Sequence, residues 1–281
     1  MARTALITGT SSGFGLLTVV TLARRGWRVL ATMRDLGRRA LLEDAARAAG
    51  VLDRIDIHQL DVTKSEQINA IGSLIDTSNA PLHALINNAG FVVPGFAEDV
   101  SDAELRDQFE TNFFGAAALT RALLPRLRSQ RFGHIVMLSS VSGRTAFPGV
   151  SSYVASKFAL EGWTETLRFE LKAIGIQVVI VEPGSFETDI WTRNAKVSAR
   201  MRDPHAPNAA RVSRWREEFV RNNKRADPQV VADLIAAIVE NPNPKLRYLI
   251  GRDAHRALLA RRILPWSLFE RAVIKLSGMD K

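Results

Sequence analysis

A hydroxyl, a phenol and an ammonium group lie close together in the sequence between Ser139 and Lys157. Tyr153 and Lys157 are four residues apart, so in a helix that begins near Ser151 both side chains lie on one face, with their Cβ atoms about 5–6 Å apart. A phenol titrates near pH ~10, and a neighbouring ammonium group favours the phenolate and lowers that pKa. The pair predicts an acid/base group, although the same spacing is common on solvated helices.

A second hydroxyl lies at the end of an apolar stretch. Residues 134–140 read HIVMLSS, which predicts a buried strand that ends in two serines. Open α/β sheets bind their ligands at the carboxyl ends of their strands. The sequence therefore predicts that Ser140, thirteen residues before Tyr153, lies in a ligand-binding position.

The N-terminal segment has the order of a phosphate-binding loop. Residues 3–8 predict a short apolar strand, GTSSGFG follows at 9–15, and the apolar positions of the next segment suit a helix packed on a sheet. Glycines in such a turn let the backbone approach a pyrophosphate, whose negative charge meets the helix N-terminus. The spacing is G-x-x-x-G-x-G, not the G-x-G-x-x-G of most dinucleotide folds. The turn residues predicted to bind the nucleotide are Gly9, Ser11, Ser12, Gly13 and Gly15.

Residues 27–34 predict the second strand, which bears on the choice of cofactor. In dinucleotide folds an acidic residue near the end of this strand binds the ribose hydroxyls of NAD, whereas an arginine accommodates the extra phosphate of NADP. Met33 occupies the usual acidic position and Arg34 follows it, which favours NADP(H). Asp35 keeps NAD open as an alternative, because it would suit the ribose if the strand ran one or two residues longer.

Two further predicted strands end in polar or small residues. Residues 55–62 form a strand that ends at Asp61, whose carboxylate is suited to the adenine amino group or, equally, to capping the next helix. Residues 82–90 form a strand that closes on NNAG. Small residues there allow a cofactor to lie against the backbone.

A long helix is predicted from Ser101 to Gln130. Ser101 is suited as its N-cap, and Glu104 three residues later completes a capping box. Asn112 lies inside this helix, although asparagine is a poor helix-interior residue. A buried hydrogen bond is the plain explanation for Asn112, and a role in an active site is the alternative.

The remaining pattern predicts the fold class. Residues 175–190 supply a sixth strand that ends at Pro183 and Gly184, and a capped helix at 227–241 precedes a final strand at 246–251. Strands and helices that alternate in this way predict one α/β domain, a doubly wound Rossmann-type sheet of about seven parallel strands flanked by helices. The domain is expected to span residues 1–281, with a substrate loop or lid at about 185–227 and a basic tail at about 252–281.

Composition limits the other chemistry available. The 281 residues include no cysteine and five scattered histidines, which excludes disulfides and thiolate ligands and predicts no metal site. The chain enters a strand without the features of a secretory signal, and no apolar run approaches the ~20 residues of a membrane span. We therefore expect a cytoplasmic protein.

The net charge of +9 is unevenly distributed. Residues 1–184 are nearly neutral, and the basic excess lies in 185–225 and 245–281. A solvated basic surface is the simpler interpretation, and no nucleic-acid partner is expected because no recognised module accompanies the charge. Segment 256–276 mixes arginines with apolar residues at roughly helical spacing, which leaves peripheral membrane contact open. Pro265 interrupts that helix, so packing on the domain or on a second subunit is favoured.

Together these motifs resemble the short-chain dehydrogenase/reductase family. The resemblance covers about residues 3–190 in order and spacing, and the segments TGTSSGFG, ATMRD and PGSFETDI are similar to the branch that contains hydroxysteroid and retinol dehydrogenases. One departure concerns the cofactor, because NADP-binding relatives often have a basic residue where this chain has Ser12. The residues that carry the resemblance are Thr8, Gly9, Gly13, Gly15, Asp61, Asn87, Asn88, Ala89, Gly90, Asn112, Ser140, Tyr153, Lys157, Pro183, Gly184 and Thr188.

The resemblance implies a role for each matching residue. Tyr153 would give or take the proton, Ser140 would hydrogen-bond the substrate oxygen, and Lys157 would hold the nicotinamide ribose and lower the tyrosine pKa. Asn112 would anchor a water in the proton relay, and Thr188 would bind the carboxamide of the cofactor. The other residues expected at the cofactor are Phe14, Val62, Asn88, Ala89, Gly90, Pro183, Gly184 and Phe186.

The sequence thus predicts an NADP(H)-dependent oxidoreductase that interconverts an alcohol and a ketone or aldehyde. A lipophilic substrate is expected because several aromatic residues fall near the predicted cleft, although they could be ordinary core; they are Phe147, Phe186, Trp191, Trp215 and Phe219. A non-catalytic NAD(P)-binding sensor or scaffold is the alternative function. The resemblance also implies a homodimer or homotetramer, formed through the long helices that carry Asn112 and Tyr153.

Overall fold

The computed structural model describes residues 2–78, 80–191, 193–222 and 225–280. It contains one sheet of seven parallel strands in the order β3-β2-β1-β4-β5-β6-β7. The order reverses between β1 and β4, as in doubly wound folds. The strands are β1 (Thr4–Thr8), β2 (Arg28–Met33), β3 (Ile55–Gln59), β4 (Leu82–Asn87), β5 (Gly133–Leu138), β6 (Ile176–Pro183) and β7 (Arg247–Ile250). The predicted fold class is confirmed.

Helices cover both faces of this sheet. They are α1 (Gly13–Arg24), α2 (Ala40–Ala48), α3 (Ser65–Thr77), α4 (Asp102–Phe109), α5 (Ala116–Gln130), α6 (Ser151–Lys172), α7 (Ala209–Asn222), α8 (Gln229–Glu240), α9 (Arg252–Ile263) and α10 (Trp266–Leu276). The central strands are buried on both faces, which explains why they read as continuous apolar runs and not as alternating patterns.

The apolar core has two layers, one on each face of the sheet. On one face α1 and α8 pack through residues such as Val19 and Ile235, and on the other α3, α5 and α6 pack through residues such as Leu119 and Leu167. Each of these helices presents one apolar stripe to the strands, as expected for a helix on a sheet. The two layers hold the strands rigidly and so fix the positions of the residues that follow them.

The predicted helix from Ser101 to Gln130 is interrupted in its middle. Ser101 caps α4, and the capping box with Glu104 is present. Residues Glu110–Gly115 then form a π-helical turn before α5 begins. Asn112 lies in this turn, and π turns are often found at functional sites. The unusual residue thus marks a local change of helix type that the sequence pattern did not predict.

Segment 185–227 and the C-terminal tail fold over the carboxyl edge of the sheet. Segment 185–227 contains short 3₁₀ turns and α7, and the tail consists of α9 and α10, separated at Pro265. Ala254 of α9 and Phe269 of α10 are buried against the domain. Across the described ranges, none of the helices has the length and apolar character to cross a membrane. The expectation of a cytoplasmic protein remains a prediction.

Candidate active site

A cavity of about 610 Å³ opens at the carboxyl edge of the sheet. Its floor consists of the segments that follow β1, β2, β3, β4, β5 and β6, and its roof consists of α7, α9 and α10. In doubly wound sheets this edge is where ligands bind, because the loops diverge at the point where the strand order reverses. The cavity has the size of a typical site for a cofactor or small molecule.

Two glycines, Gly9 and Gly15, allow the turn after β1 to lie very close to neighbouring backbone atoms. Gly9 has a φ of +70°, and a Cβ there would lie 2.8 Å from Ala89 Cα. A Cβ on Gly15 would lie 2.3 Å from the carbonyl oxygen of Gly9, so α1 could not begin so close to the turn with any other residue. Gly15 does not itself line the cavity. Its place in the site is to let the turn and the helix approach one another.

Asn88 connects the first glycine turn to the end of β4. Its side-chain amide donates to the carbonyl oxygens of Thr8, at 2.8 Å, and Gly9, at 3.0 Å. The hydroxyl of Thr8 in turn accepts hydrogen bonds from the backbone N–H groups of Asn88 and Ala89, at 3.0 and 2.9 Å. These bonds fix two strand ends against each other, so Asn88 has a structural role besides the cofactor contact that the resemblance implies.

The first turn of α1 provides an anion-binding position on the cavity wall. Ser12 is the N-cap residue, and its side chain makes no capping hydrogen bond to the helix. Ser11, Ser12, Gly13 and Phe14 all line the cavity. The N–H groups of a helix's first turn and the positive end of its dipole favour a phosphate there. The arrangement therefore fits the pyrophosphate of a dinucleotide.

Arg34 and Asp35, the two residues considered for binding the ribose end of the cofactor, have different surroundings at the end of β2. The strand ends at Met33, which is buried, and exposed Arg34 follows at the cavity wall. Asp35 also lines the cavity, but its carboxylate accepts a 2.8 Å hydrogen bond from the N–H of Gly37 and caps a short 3₁₀ turn. Asp35 would suit the ribose if β2 ran one or two residues longer than predicted. The strand does not do so.

Asp61 lies at the cavity, beyond the end of its strand. β3 ends at Gln59, two residues earlier than predicted, although the N–H of Leu60 still bonds to the carbonyl of Met33. The Asp61 carboxylate accepts hydrogen bonds from the N–H and the hydroxyl of Thr63, at 3.0 and 2.8 Å. The N-cap of α3 is Lys64, so Asp61 is not the capping residue that the sequence allowed.

Tyr153 and Ser140 meet in the buried part of the cavity. Tyr153 lies in the first turn of α6, Ser140 follows β5, and the Ser140 hydroxyl is close enough to the phenol to affect its pKa. Ser140 Oγ accepts a hydrogen bond from the N–H of Ser142 at 3.1 Å, which holds the serine in place. Burial raises the pKa of Tyr153 to about 12, and the neighbouring Ser140 hydroxyl offsets this only in part.

The expected lowering of the tyrosine pKa is therefore not present in this structure. Lys157 lies one helical turn after Tyr153, with Nζ 5.6 Å from the centre of the phenol ring, and donates a 2.6 Å hydrogen bond to the carbonyl of Leu138. Burial lowers the pKa of Lys157 to about 8, and the carboxylate of Glu161 acts in the opposite direction. The lysine faces the ring of Tyr153, and burial of the phenol dominates the tyrosine pKa.

Asn112 is buried next to the site but does not line the cavity. Its carbonyl oxygen accepts from the N–H of Phe91 at 3.1 Å, and its amide donates to the carbonyl of Phe91 at 3.1 Å and to Ser156 Oγ at 3.3 Å. Ser156 in turn donates to the carbonyl of Tyr153 at 2.8 Å. Asn112 therefore joins the π turn to the first turns of α6, and the buried hydrogen bond that the sequence offered as a plain explanation is present.

The other predicted cofactor residues surround the same space. Phe14 and Phe186 pack edge to face with centroids 5.7 Å apart, and Thr188 lies beside Gly13, where an added Cβ would be 3.5 Å from its own Cβ. Gly184 lies against the carboxylate of Asp253. The predicted residues that line the cavity are Gly9, Ser11, Ser12, Gly13, Phe14, Arg34, Asp61, Val62, Asn88, Ala89, Gly90, Ser140, Tyr153, Lys157, Pro183, Gly184, Phe186 and Thr188.

The far side of the cavity is an aromatic wall. Trp191 lies 4.8 Å from Phe219 and 6.3 Å from Tyr153, centroid to centroid, and Trp215 stacks on Phe219 at 5.3 Å. Phe147 packs against the same cluster. These aromatic residues, which the sequence placed near the cleft, line the cavity next to the Tyr153 phenol.

Two groups of cavity residues were not found by sequence reasoning. Asn194 receives a 3.1 Å hydrogen bond from Arg38 and donates one of 3.1 Å to Ser12 Oγ, so segment 185–227 is bound to the glycine turn. Nothing in the sequence pairs these residues.

The second group of cavity residues comes from the tail. The helical apolar spacing of the tail indicated that it packs on another surface, but not that this surface is the cavity. The tail residues at the cavity are Asp253, Ala257, Val273, Leu276 and Ser277.

Comparison with known proteins agrees with this geometry. Residues 3–198 match the model of the short chain dehydrogenase family. An uncharacterised oxidoreductase of Bacillus subtilis, YusZ, is 41% identical over 278 residues, which is 97% of this chain and 98% of that protein. Bovine retinol dehydrogenase 8 is 37% identical over 255 residues, which is 87% of this chain and 80% of that protein.

Solved structures show the same fold. A short-chain dehydrogenase from Streptomyces avermitilis superposes with a TM-score of 0.80 at 33% identity, covering 97% of this chain and 99% of that one. A family member from Burkholderia phymatum in complex with NAD has a TM-score of 0.76 at 26% identity, covering 96% and 95%. A metagenomic short-chain oxidoreductase in complex with NADP has a TM-score of 0.69 at 23% identity, covering 88% and 96%. This chain belongs to the short-chain dehydrogenase/reductase family and is an oxidoreductase that acts on CH–OH groups with NAD(P).

Proposed function

We propose that this protein interconverts a lipophilic alcohol and the corresponding ketone or aldehyde, with NADP(H) as the hydride carrier and Tyr153 as the general acid/base. The observation that carries this proposal is the buried pair of neighbouring hydroxyls on Tyr153 and Ser140, which line one cavity together with the glycine turn and the aromatic wall. A hydride acceptor bound there would contact both the cofactor side and the apolar side of one cavity.

The residues around the glycine turn fit a dinucleotide. We assign the pyrophosphate to the first turn of α1, the adenine to Asp61, and the nicotinamide end to Lys157, Thr188 and the Pro183–Gly184 turn. The nicotinamide, when bound, supplies the hydride in the reductive direction and accepts it in the oxidative one. Asn88, Ala89 and Gly90 present backbone without bulk, so the ring can lie against them.

Tyr153 moves the proton in this mechanism. Its raised pKa, about 12, keeps the phenol protonated at neutral pH, which is the form that donates to a carbonyl oxygen during reduction. Ser140 donates the second hydrogen bond to the same oxygen, on which negative charge develops, and its bond from the N–H of Ser142 holds it ready to do so. Lys157 holds a positive charge beside the phenol, and Asn112 anchors the start of α6 through Ser156 and is proposed to order a water there.

The preference for NADP(H) rests on Arg34. The strand ends at Met33 and leaves Arg34 exposed at the cavity wall, while Asp35 is occupied as a cap of the following turn. A guanidinium at this position can bind a 2′-phosphate, while Oδ1 of Asp35 already accepts the N–H of Gly37. Arg38, which also lines the cavity, adds positive charge nearby. Ser12 at the position where NADP-binding relatives often have a basic residue leaves Arg34 as the main determinant.

A lipophilic substrate is supported by the aromatic wall. The rings of Trp191, Trp215 and Phe219 offer apolar surface beside Tyr153, and Val273 and Leu276 of α10 extend it. Burial of apolar area contributes about 25 cal/mol per Å², so larger apolar substrates bind more tightly in such a cavity. The similarity to retinol dehydrogenase 8, whose name states an apolar alcohol, supports the same substrate class.

The outer segments complete the proposed division of the chain. We infer that 185–227 is a lid over the substrate and that the tail at 252–281 is a second cover, because both contribute cavity residues and neither belongs to the sheet. The bond from Asn194 to Ser12 ties the lid to the glycine turn. The whole chain then acts as one catalytic domain, 1–281.

We propose that the protein forms a homodimer or homotetramer through its long helices. Large apolar side chains are exposed there, including Phe114 at 50%, Phe158 at 46% and Phe169 at 71%, and a self-complementary apolar face is typical of symmetric oligomers. Phe114→Glu with Phe158→Glu should reduce the mass measured by light scattering to that of one chain. Leu259→Glu, at an exposed position of α9, is the control and should leave the mass unchanged.

Consumption of NADPH and NADH, measured in parallel, tests the proposed function. The purified protein is assayed with aldehydes and ketones of increasing apolar size, including steroid and retinoid carbonyls and small polar polyol carbonyls. We expect faster turnover with NADPH and a kcat/KM that rises with apolar size. A preference for NADH would assign the ribose to Asp35, and a preference for small polar substrates would contradict the apolar cleft. Cofactor binding without turnover of any carbonyl would favour the sensor function.

A further inference from the structure

Two buried carboxylates, paired with two partly exposed arginines, form a cluster next to the segments that carry the proposed catalytic groups. Glu161 of α6 and Glu182 of β6 are 4% and 1% exposed, and both carboxylates contact Nε of Arg247 on β7, at 3.0 and 3.3 Å. Arg144, which follows β5, bonds to the Glu182 carboxylate at 3.1 Å. Buried charges of this kind are expensive unless each is paired, and here each carboxylate has a cation.

Three members of this cluster lie close in sequence to a residue of the site. Arg144 is four residues after Ser140, Glu161 is one helical turn after Lys157, and Glu182 immediately precedes Pro183. Packing around Glu161 is close, because a Cβ on Gly143 would lie 2.8 Å from its Cγ. The cluster thus connects three segments of the site. They are the segment after β5 with its Ser140 hydroxyl, helix α6 with the Tyr153 hydroxyl and the Lys157 ammonium, and the turn after β6.

The position of Glu161 bears on the charge of Lys157. Both residues are buried, and they lie one turn apart on the same helix, where side chains four residues apart are neighbours. The outer carboxylate Glu165, which bonds to Arg247 at 2.6 Å, is 44% exposed and is screened by water. Glu161 is therefore the carboxylate of α6 that is placed to act on the Lys157 ammonium.

We propose that Glu161 is a positioning residue that keeps Lys157 positively charged inside the cavity wall. The inference rests on the proposed function, in which that charge lies beside Tyr153. Burial acts against the ammonium form, and Glu161 is the charged group that supports it. The paired cation on Arg247 favours the carboxylate form of Glu161, against burial and the like charge of Glu182, which raise its pKa.

Charged groups from each packed element surround Lys157 and Glu161. Glu165 comes from α6 itself, Glu182 from β6, Arg247 from β7 and Arg144 from the segment after β5. The carboxylate of Asp253 on α9 accepts from the N–H of Ser185 and faces Gly184, away from Glu161. Tyr153 faces Lys157 from the cavity side.

The test measures the Lys157 pKa directly, by NMR titration of protein labelled with ¹³C-lysine, with the Lys157 signal assigned from Lys157→Arg. The wild-type signal should titrate near the pKa of about 8. We expect Glu161→Gln to lower the pKa by about one unit, a tenfold change in the dissociation constant. Glu182→Gln, which removes a more distant charge, should lower it by less, and it tests the proposal if Glu161→Gln does not fold.

Glu165→Gln is the matched control. Glu165 lies on the same helix and binds the same arginine, but it is 44% exposed and two turns from Lys157, so water screens it. We expect Glu165→Gln to leave the Lys157 pKa unchanged, and Glu161→Asp, which keeps the charge, to restore the wild-type value. A Lys157 pKa that does not fall in Glu161→Gln and Glu182→Gln, or that falls equally in Glu165→Gln, would overturn the proposal.

A pH profile connects this pKa to turnover. If the charged ammonium is needed, kcat/KM of Glu161→Gln should equal wild type at pH 6 and fall to about one fifth of it at pH 8, because a pKa lower by one unit leaves about a tenth of the lysine charged. A purely structural role would lower kcat/KM equally at both pH values and would overturn the proposal. The NMR titration uses neither substrate nor turnover, so it reads the role of Glu161 even if no carbonyl is reduced.

Discussion

One wall of the cavity, the strand side, consists of the strand ends with the first turns of α1 and α6; the other, the helical side, consists of α7, α9 and α10, and different forces hold the two. On the strand side small residues such as Gly9 and Ala89 are held by backbone contacts and by two hydrogen bonds, one from the Asn88 amide to the carbonyl of Gly9 and one from the N–H of Ala89 to the hydroxyl of Thr8. On the helical side Trp215 and Phe219 are held by ring packing and by few hydrogen bonds, among them one from the Trp215 indole to the carbonyl of Pro148.

This difference separates the residues that hold the reacting groups from the residues that select the substrate. Groups on the strand side cannot shift without breaking buried hydrogen bonds, which suits residues that must hold a hydride donor and a proton at fixed positions. Packed rings can be exchanged for others of similar volume at modest cost. We therefore expect changes on the strand side to affect cofactor binding for every substrate, and changes on the helical side to affect only the choice of substrate.

The largest effect on this comparison is expected from Gly15→Ala. A Cβ at this position would lie 2.3 Å from the carbonyl oxygen of Gly9, so the glycine turn must move away from α1. We expect NADPH affinity, measured by quenching of tryptophan fluorescence, to fall about 100-fold. Gly72→Ala in α3 is the control, because its Cβ meets nothing within 4 Å. Unchanged affinity in Gly15→Ala would contradict the assignment of the pyrophosphate to this turn.

Arg34→Ala should have the next largest effect. It removes the guanidinium proposed to bind the 2′-phosphate, and a hydrogen bond to a charged group contributes about 1.5–3 kcal/mol. The ratio of kcat/KM for NADPH over NADH should therefore fall between about 10-fold and 100-fold. Arg39→Ala, which removes a cation paired with Glu43 at 3.3 Å, should leave the ratio as it is. An equal fall in both variants would show a general effect of charge and not a phosphate contact.

The smallest effect is expected on the helical wall. Phe219→Ala removes a ring that contacts both Trp191 and Trp215. Lost apolar contact should raise KM about 10-fold for a bulky carbonyl and leave that of a small one unchanged. NADPH affinity should not change. Phe132→Ala, just before β5 at the opposite edge of the sheet, where the side chain is 42% exposed, serves as the control. If the cofactor affinity fell with KM, the two walls would not be independent.

The same comparison explains what the sequence could predict. Strands β1, β2, β4, β5 and β6 were located to within one to three residues, because buried parallel strands appear as apolar runs and the small or polar residues after them are local signals. Positions such as Ser140 and Arg34 follow from strand ends alone. The strand wall was therefore largely predictable before its three-dimensional arrangement was known.

The helical wall was not predictable to the same extent, because contacts between distant residues determine it. The apolar spacing of the tail indicated packing, but not that Val273 and Leu276 would line the cavity. No local pattern pairs Asn194 with Ser12 across 182 residues of sequence. The π turn at Asn112 and the charge cluster around Arg247 depend equally on which elements meet.

Turnover of Tyr153→Phe, compared with wild type, tests most directly whether the two hydroxyls perform catalysis. The substitution removes one oxygen from a buried ring, so folding and NADPH affinity should be retained. General acid catalysis contributes typically 10²–10⁴-fold, and we expect kcat for NADPH-dependent carbonyl reduction to fall by about 10³-fold. Equal turnover by Tyr153→Phe and wild type, with NADPH still bound, would contradict the catalytic role of Tyr153.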